Sequence, residues 1–348
     1  MKNLRFFIPA VCAAGAQTLG QHACGMLHIM KVDLEKLWNR ISEAKRIGIC
    51  GHVRPDGDCV GSCLGMYNYI LSRFGKEPDV YMEEVSPEFL FLNGTDKVIK
   101  DYPDAEKYDV FLALDSGDAE RLGDGIKYFN QAGYTYCFDH HPTNIGYAKE
   151  NLIDSNAAAT AELLASIFDE DYIDLNTANC LYLGIVHDTG VFKHSNVTRK
   201  TMEIAGLLID KGVIPGDIID KTFYEKTYVQ NQILGRCLME SILLMDGKVI
   251  VSYVPADIQH FYGIGNSDMG GIIDQLRITK GVEVAILLKE ANKREWKVSL
   301  RSNSIVDVSK ISVMFAGGGH VRAAGCTMYG SVHDCINSLT KEIEKQLR

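Results

Sequence analysis

The stretch Arg46-Ile47-Gly48-Ile49-Cys50-Gly51-His52-Val53-Arg54-Pro55-Asp56-Gly57-Asp58 decides the fold. An apolar run stops in a turn that carries one imidazole and two carboxylates. Cys59 to Phe74 then has helical apolar spacing and ends at Gly75, a C-cap glycine. Strand, polar turn and helix open a βαβ unit, and the pattern continues. A helix is expected from about Asp33 to Ala44. Strands are expected at Val80–Met82, Val110–Leu114 and Tyr134–Phe138, and helices at Ala158–Phe168 and Thr177–Val186. Val110–Leu114 is apolar throughout, as a central strand of a parallel sheet would be. Right-handed crossovers bring the carboxyl ends of such strands to one rim, where ligands bind. His52, Asp115 and Asp139 each follow a strand directly, so they share that rim.

Length alone, 348 residues, suggests two domains. Residues 199 to about 235 read as helical and polar-flanked, without a Gly/Ser linker. A second α/β unit follows, with strands at Val249–Val254, Val282–Lys289 and Trp296–Leu300 and helices at Met269–Ile278 and Val332–Leu347. The expected division is an extension over 1–30, a catalytic α/β domain over 31–200, a helical connector over 201–235 and a smaller α/β domain over 236–348. In the extension, Lys2, Arg5 and the apolar Phe6–Leu19 read superficially as a secretory signal. The bland alternative is that translation starts at Met26 or Met30, where an amphipathic helix opens. Beyond residue 30 no apolar stretch approaches the roughly 20 residues that span a bilayer, so no membrane partner is expected.

A net charge of −9 argues against a basic surface tracking long duplex nucleic acid. Metal ions and a few arginines can still recruit small anions locally. Ten cysteines without a C-x-x-C pair, mostly inside apolar runs (Cys50, Cys137, Cys180), fit reduced thiols in a cytoplasmic protein.

The rim is rich in metal-ligand residue types. His52, Asp56 and Asp58 occupy one tight loop; Asp58 could instead be an N-cap, since it precedes a helix. An unpaired carboxylate at Asp115, after a buried strand, would be costly without charged partners. Asp188 follows an apolar helix, where a negative charge opposes the helix dipole and a dication would favour it. His140 and His141 stand in tandem after Asp139. We assign His140 to metal and His141 to the phosphoryl group or the leaving oxygen, with Asp139 orienting an imidazole from behind; another reading makes Asp139 a ligand and His141 structural. Two dications roughly 3.5–4 Å apart would neutralise these carboxylates and activate a water for in-line attack on phosphorus. Mixed imidazole and carboxylate ligation suits Mn²⁺ better than Mg²⁺, with Zn²⁺ or Fe²⁺ open.

The segment Gly317-Gly318-Gly319-His320 is the second sharp feature. Glycine backbone admits a close-lying ligand and is expected to form an anion nest, with His320 donating to a phosphate or a sugar edge. A glycine-rich turn packed on the sheet is the alternative. Arg277, Arg301 and Ser302, on neighbouring elements, are candidates for a terminal phosphate or a base; ordinary surface salt bridges are the alternative for each.

In order along the chain, His52-x-x-Pro-Asp56-Gly-Asp58-x-x-Gly-Ser62, Leu114-Asp115, Asp139-His140-His141 and Asp188 resemble the motifs of the DHH phosphoesterase superfamily. Gly317–His320 is similar to the DHHA1 substrate domain of one branch. Within the superfamily the chain looks most like the stand-alone nano-RNase/pAp-phosphatase group. The resemblance implies Mn²⁺-dependent hydrolysis of very short oligonucleotides to 5′-nucleotides, or of 3′-phosphoadenosine 5′-phosphate (pAp) to AMP and phosphate. Relatives that cleave pApA or cyclic di-AMP supply an alternative, and a nucleotide sensor with little chemistry a competing class. The resemblance is also compatible with a homodimer. Chemistry on one domain and an anion nest on the other would fix the spacing of two phosphates and favour short substrates.

Overall fold

The computed structural model describes residues 29–30, 32–104, 107–265 and 267–348. The expected extension over residues 1–30 therefore falls almost entirely outside the described residues. The chain forms two compact units that divide at Tyr224/Glu225.

The first unit is built on seven strands: β1 (Ile29–Met30), β2 (Ile47–Cys50), β3 (Asp79–Tyr81), β4 (Val98–Ile99), β5 (Val110–Leu114), β6 (Tyr134–Asp139) and β7 (Glu150–Asp154). Their order is β1-β7-β6-β5-β2-β3-β4. Six are parallel, and β1 alone runs antiparallel, against β7. The helices are α1 (Leu34–Glu43), α2 (Gly57–Phe74), α3 (Ile126–Gln131), α4 (Thr160–Ile167), α5 (Leu175–Asp188), α6 (Arg199–Asp210) and α7 (Pro215–Ile219). The chain leaves β2 toward β3 on one side and returns to β5 on the other. The carboxyl ends of β2 and β5 thus flank a topological switch point, the place where open α/β sheets bind ligands.

One sheet face carries the larger core, where Leu37, Ile41, Leu64, Ile70, Leu181 and Ile185 pack around Ile49, Leu112 and Phe138. Tyr81, Phe111, Tyr128 and Phe129 fill the other. With both faces covered, β5 is buried at every position. Glycine brings α2 against α5: a Cβ on Gly61 would lie 2.5 Å from the Cys180 carbonyl and 2.8 Å from the Gly184 nitrogen.

The second unit holds α8 (Tyr228–Met239), α9 (Ala256–Tyr262), α10 (Ile272–Arg277), α11 (Val308–Met314) and α12 (Val332–Leu347). Its strands are β8 (Ile242–Leu244), β9 (Val249–Val254), β10 (Val284–Asn292), β11 (Glu295–Ser302), β12 (Gly318–His320) and β13 (Ala323–Tyr329). The order is β12-β13-β11-β10-β9-β8, with only β9 and β10 parallel. Val251, Ile286, Val298 and Leu300 pack toward Ile311, Leu339 and Ile343 on one face. Ile250, Ala285 and Leu287 meet Ile233, Ile273 and Leu276 on the other.

The stretch 201–235, expected as a connector, is shared between the units. Ile204, Leu208 and Ile218 join the first core, and Ile233 of α8 joins the second.

Candidate active site

The parallel register places His52 just beyond β2, Asp115 just beyond β5 and Asp139 at the last position of β6. Asp115 is 2% exposed and sits at φ 54°, a left-handed conformation that is costly for a non-glycine residue. Its Oδ2 lies 3.6 Å from His52 Nε2 and its Oδ1 3.7 Å from His140 Nε2, so one carboxylate spans two imidazoles. Thr160 Oγ1 donates to the same Oδ1 at 2.9 Å. His140 Nε2 also meets Asp188 Oδ2 at 3.0 Å and Asp58 Oδ2 at 3.9 Å.

Asp56, not Asp58, is the N-cap of α2, accepting from the amides of Asp58 and Cys59 at 3.2 and 3.1 Å. Burial works against its ionisation, yet His52 and those amides outweigh burial and hold the carboxyl down at about 2. Asp58 is fully buried and reaches a different helix. It accepts from Thr160 N at 2.6 Å and Ala161 N at 3.0 Å, where α4 has no cap side chain of its own. Burial, then the charges of Asp115 and Asp188, hold its carboxyl well above the usual range. Asp188 is raised too, by burial and by Asp115. Burial disfavours charge on His140, but Asp188, Asp58 and Asp115 push it up to about 10.

The tandem histidines have different partners. His141 Nδ1 lies 2.7 Å from Asp139 Oδ1, and the other Asp139 oxygen accepts from Asn144 Nδ2 at 2.7 Å. Asp139 is wholly buried and Asn144 2% exposed, whereas the His141 side chain is 30% exposed. The result is a rigid chain, Asn144 to Asp139 to His141, that leaves His141 Nε2 as the remaining ring nitrogen. His187, next to Asp188, packs against aromatic rings. Its ring lies 5.1 Å from Phe89 and 4.5 Å from Phe223, and burial pushes it down to about 4.

A divalent cation fits the donor set. Ligand atoms of Asp58, His140 and Asp188 lie within 4.8 Å of one another; so do those of Asp115, His140 and His141, and those of His52, Cys59 and Asp115. Buried carboxylates whose positive partners, among the described residues, are imidazoles alone need further positive charge, and mixed N/O donors suit first-row divalent metals. The reading of the residues alone missed Cys59, Thr160 and Asn144. Asn144 lies three residues beyond the His pair, but Thr160 carries no sequence signal, because its role depends on where α4 begins.

In the second unit, the glycine segment is an edge strand rather than a loop of amides closing on an anion. Gly318, Gly319 and His320 pair with Gly325, Ala324 and Ala323. A Cβ on Gly319 would lie 2.5 Å from Ala323 O, whereas one on Gly318 would meet nothing within 4 Å. Arg301 pairs with Ala323, so Arg301, Ala323 and His320 form one row across three strands and face the same way. Ser302 is 3% exposed and accepts from Arg322 Nη1 at 3.5 Å, and its backbone N–H donates to Arg322 O. Arg277 donates to Asn303 Oδ1 at 2.8 Å and to Asp274 at 3.4 Å; Arg301 stands 3.9 Å from that same carboxylate.

Comparison with known proteins agrees with this architecture. The model for the DHH family, N-terminal domain, matches residues 46–185, and that for the DHHA1 domain matches residues 246–348. The chain is 31% identical to the bifunctional oligoribonuclease and PAP phosphatase NrnA of Thermus thermophilus, over 82% of this chain and 84% of that protein. It is 25% identical to the NrnA of Bacillus subtilis, over 80% and 88%. An exopolyphosphatase-related protein from Bacteroides fragilis shares the fold, with a TM-score of 0.77 at 22% identity over 90% of this chain and 95% of that one. A metal-fitting rim on a doubly wound sheet, followed by a DHHA1 unit, defines a phosphoesterase. The chain belongs to the DHH family and is a hydrolase of phosphoester bonds.

Proposed function

We propose that the chain uses two Mn²⁺ ions to hydrolyse very short oligonucleotides to 5′-mononucleotides, and pAp to AMP and phosphate. The observation that carries the reading is Asp115 set between His52 and His140 at 3.6 and 3.7 Å, where its carboxylate would help to hold both ions. His52 and Asp56 would complete one ion's ligands, and Asp58, His140 and Asp188 the other's. The ions, when bound, supply an activated water and charge to stabilise the phosphoryl oxygens. The substrate classes come from the NrnA relatives, which are named oligoribonucleases and PAP phosphatases.

His141 is the proposed acid. With Nδ1 held by Asp139, its Nε2 is the atom that would deliver a proton to the leaving oxygen. The Asp139 contact raises the imidazole's proton affinity and keeps that proton available. Arg277, Arg301, Ser302, Gly318, Gly319 and His320 are the proposed substrate contacts in the second unit. The test is Mn²⁺-dependent turnover of pAp, pApA, a five-nucleotide RNA, cyclic di-AMP and pyrophosphate. AMP released from pApA or the pentamer, with pyrophosphate inert, supports the reading. Silence on the whole panel despite bound metal overturns it in favour of a sensor.

A further inference from the structure

His52 presents one ring nitrogen to the rim. Its Nδ1 faces Val53 O at 2.9 Å, and its Nε2 lies 3.6 Å from Asp115 Oδ2 and 3.7 Å from Asp56 Oδ1. That Asp56 oxygen is shared, since it also accepts the amides of Asp58 and Cys59 at the start of α2. A sulfur gathers at the same place. Ligand atoms of His52, Cys59 and Asp115 lie within 4.8 Å of one another, and all three residues are buried.

The chain builds a place for that sulfur. Cys59 stands in the first turn of α2, and its Sγ accepts from the His52 backbone N–H at 3.2 Å. A Cβ on Gly51 would lie 2.3 Å from the same Sγ, so glycine at 51 leaves the sulfur its room. Thiolate is the form of cysteine that binds metals. Beside Asp115 a second buried anion would be costly, unless a dication sits with both. The softest donor on the rim thus adjoins the imidazole and the carboxylate that face one ion.

We infer that Cys59 is a further ligand of the ion at His52 and Asp115, and that it makes this position thiophilic, favouring Zn²⁺ or Co²⁺ over Mn²⁺. On ligation a sulfur–metal bond replaces the S–H bond, and the proton leaves to solvent. The group formed by Asp58, His140 and Asp188 offers only nitrogen and carboxylate, which suit Mn²⁺. The inference rests on the two-metal reading and refines it. Mn²⁺ alone fills both positions, whereas a chain offered both metals carries a mixed pair.

The test titrates Co²⁺ into the metal-stripped full chain, without oxygen and with a reductant that is not a thiol, and reads the absorption spectrum. Wild type is expected to show ligand-field bands in the visible together with a sulfur-to-cobalt charge-transfer band in the near ultraviolet. Cys59→Ser and Cys59→Ala should keep the visible bands and lose the ultraviolet one, while Cys63→Ala, one helical turn on, keeps both. Competition against a chromophoric chelator should show the preference for Zn²⁺ over Mn²⁺ reduced by roughly tenfold or more in Cys59→Ser, since losing even a group behind a ligand costs that much. X-ray absorption of wild type loaded with a single equivalent of Zn²⁺ needs no variant and should show sulfur at about 2.3 Å. Visible bands alone in wild type, an ultraviolet band that survives in both Cys59 variants, an unchanged metal preference, or zinc without sulfur overturns the inference and leaves the metal centre standing. A wild type that binds none of these metals overturns the two-metal reading as well.

Discussion

Replacing Asn144 with alanine removes the back of the chain that holds His141. The amide donates to Asp139 Oδ2 at 2.7 Å and to Ser116 O at 3.1 Å, and it accepts from Gly146 N at 2.8 Å. Asp139 is fully buried, so its oxygen gains no water when the amide is lost. A hydrogen bond to a charged group contributes about 1.5–3 kcal/mol, and stranding the Gly146 amide adds of order 1 kcal/mol. The total is about 3 kcal/mol, which for a unit of this size corresponds to a melting point lower by roughly 6–12 °C. Turnover should fall further than stability requires, by roughly 10–100-fold, because an unanchored Asp139 no longer orients His141. Thermal melts followed by circular dichroism, with hydrolysis of pAp measured well below the variant's melting point, separate the two effects. A variant that melts early but keeps full turnover would refute the coupling and leave Asn144 as a packing residue.

Three further outcomes are expected. Asp188→Asn removes a carboxylate that burial and Asp115 hold above its ordinary range. Such a raised group stabilises the fold while protonated, and that contribution is lost as pH rises through its folded value. Metal-free variant should therefore melt at least as high as wild type, with an advantage that grows from acid as pH rises through the carboxyl's folded value and then levels off, and should lose most of the stabilisation by Mn²⁺. Gly184→Ala puts a Cβ 2.6 Å from both Ala161 Cβ and Asp58 Oδ1; overpacking should cost about 1–3 kcal/mol and weaken metal binding, seen by melts with and without Mn²⁺. Glu283 is 5% exposed and accepts from the amides of Ser304, Ile305 and Val306 and from the Ser304 hydroxyl. Burial opposes its charge, but these donors outweigh it and depress the carboxyl. Glu283→Ala should cost the second unit about 2–3 kcal/mol near neutral pH. That deficit should shrink in acid, as the wild-type carboxylate protonates, and denaturant melts over pH would show it.

The elements with strong periodicity were legible in advance. β5, β9 and α12 fall at the boundaries that the apolar pattern marks, because each buries a face whose period matches its own. β7, β8, β12 and β13 were not. β12 is two glycines and a histidine, residues with no strand propensity, and becomes a strand only by pairing with β13.

The residues of the rim follow from order along the chain, since parallel strands must end on one side and the polar residue after each strand must lie there. What each residue does there depended on tertiary placement. Asp56 and Asp58 are two positions apart in one turn, and nothing local says which will cap α2. Glycines at 61 and 184 let α2 and α5 approach, and that approach aims Asp58 at the amides of α4 and leaves Asp56 as the cap. The sequence by itself determined the chemical inventory and the sheet edge on which it gathers. The surroundings of Asp58 and His140 were decided only by packing, because their contacts with Thr160, Ala161 and Asp188 run between segments about 50 to 100 residues apart in the chain.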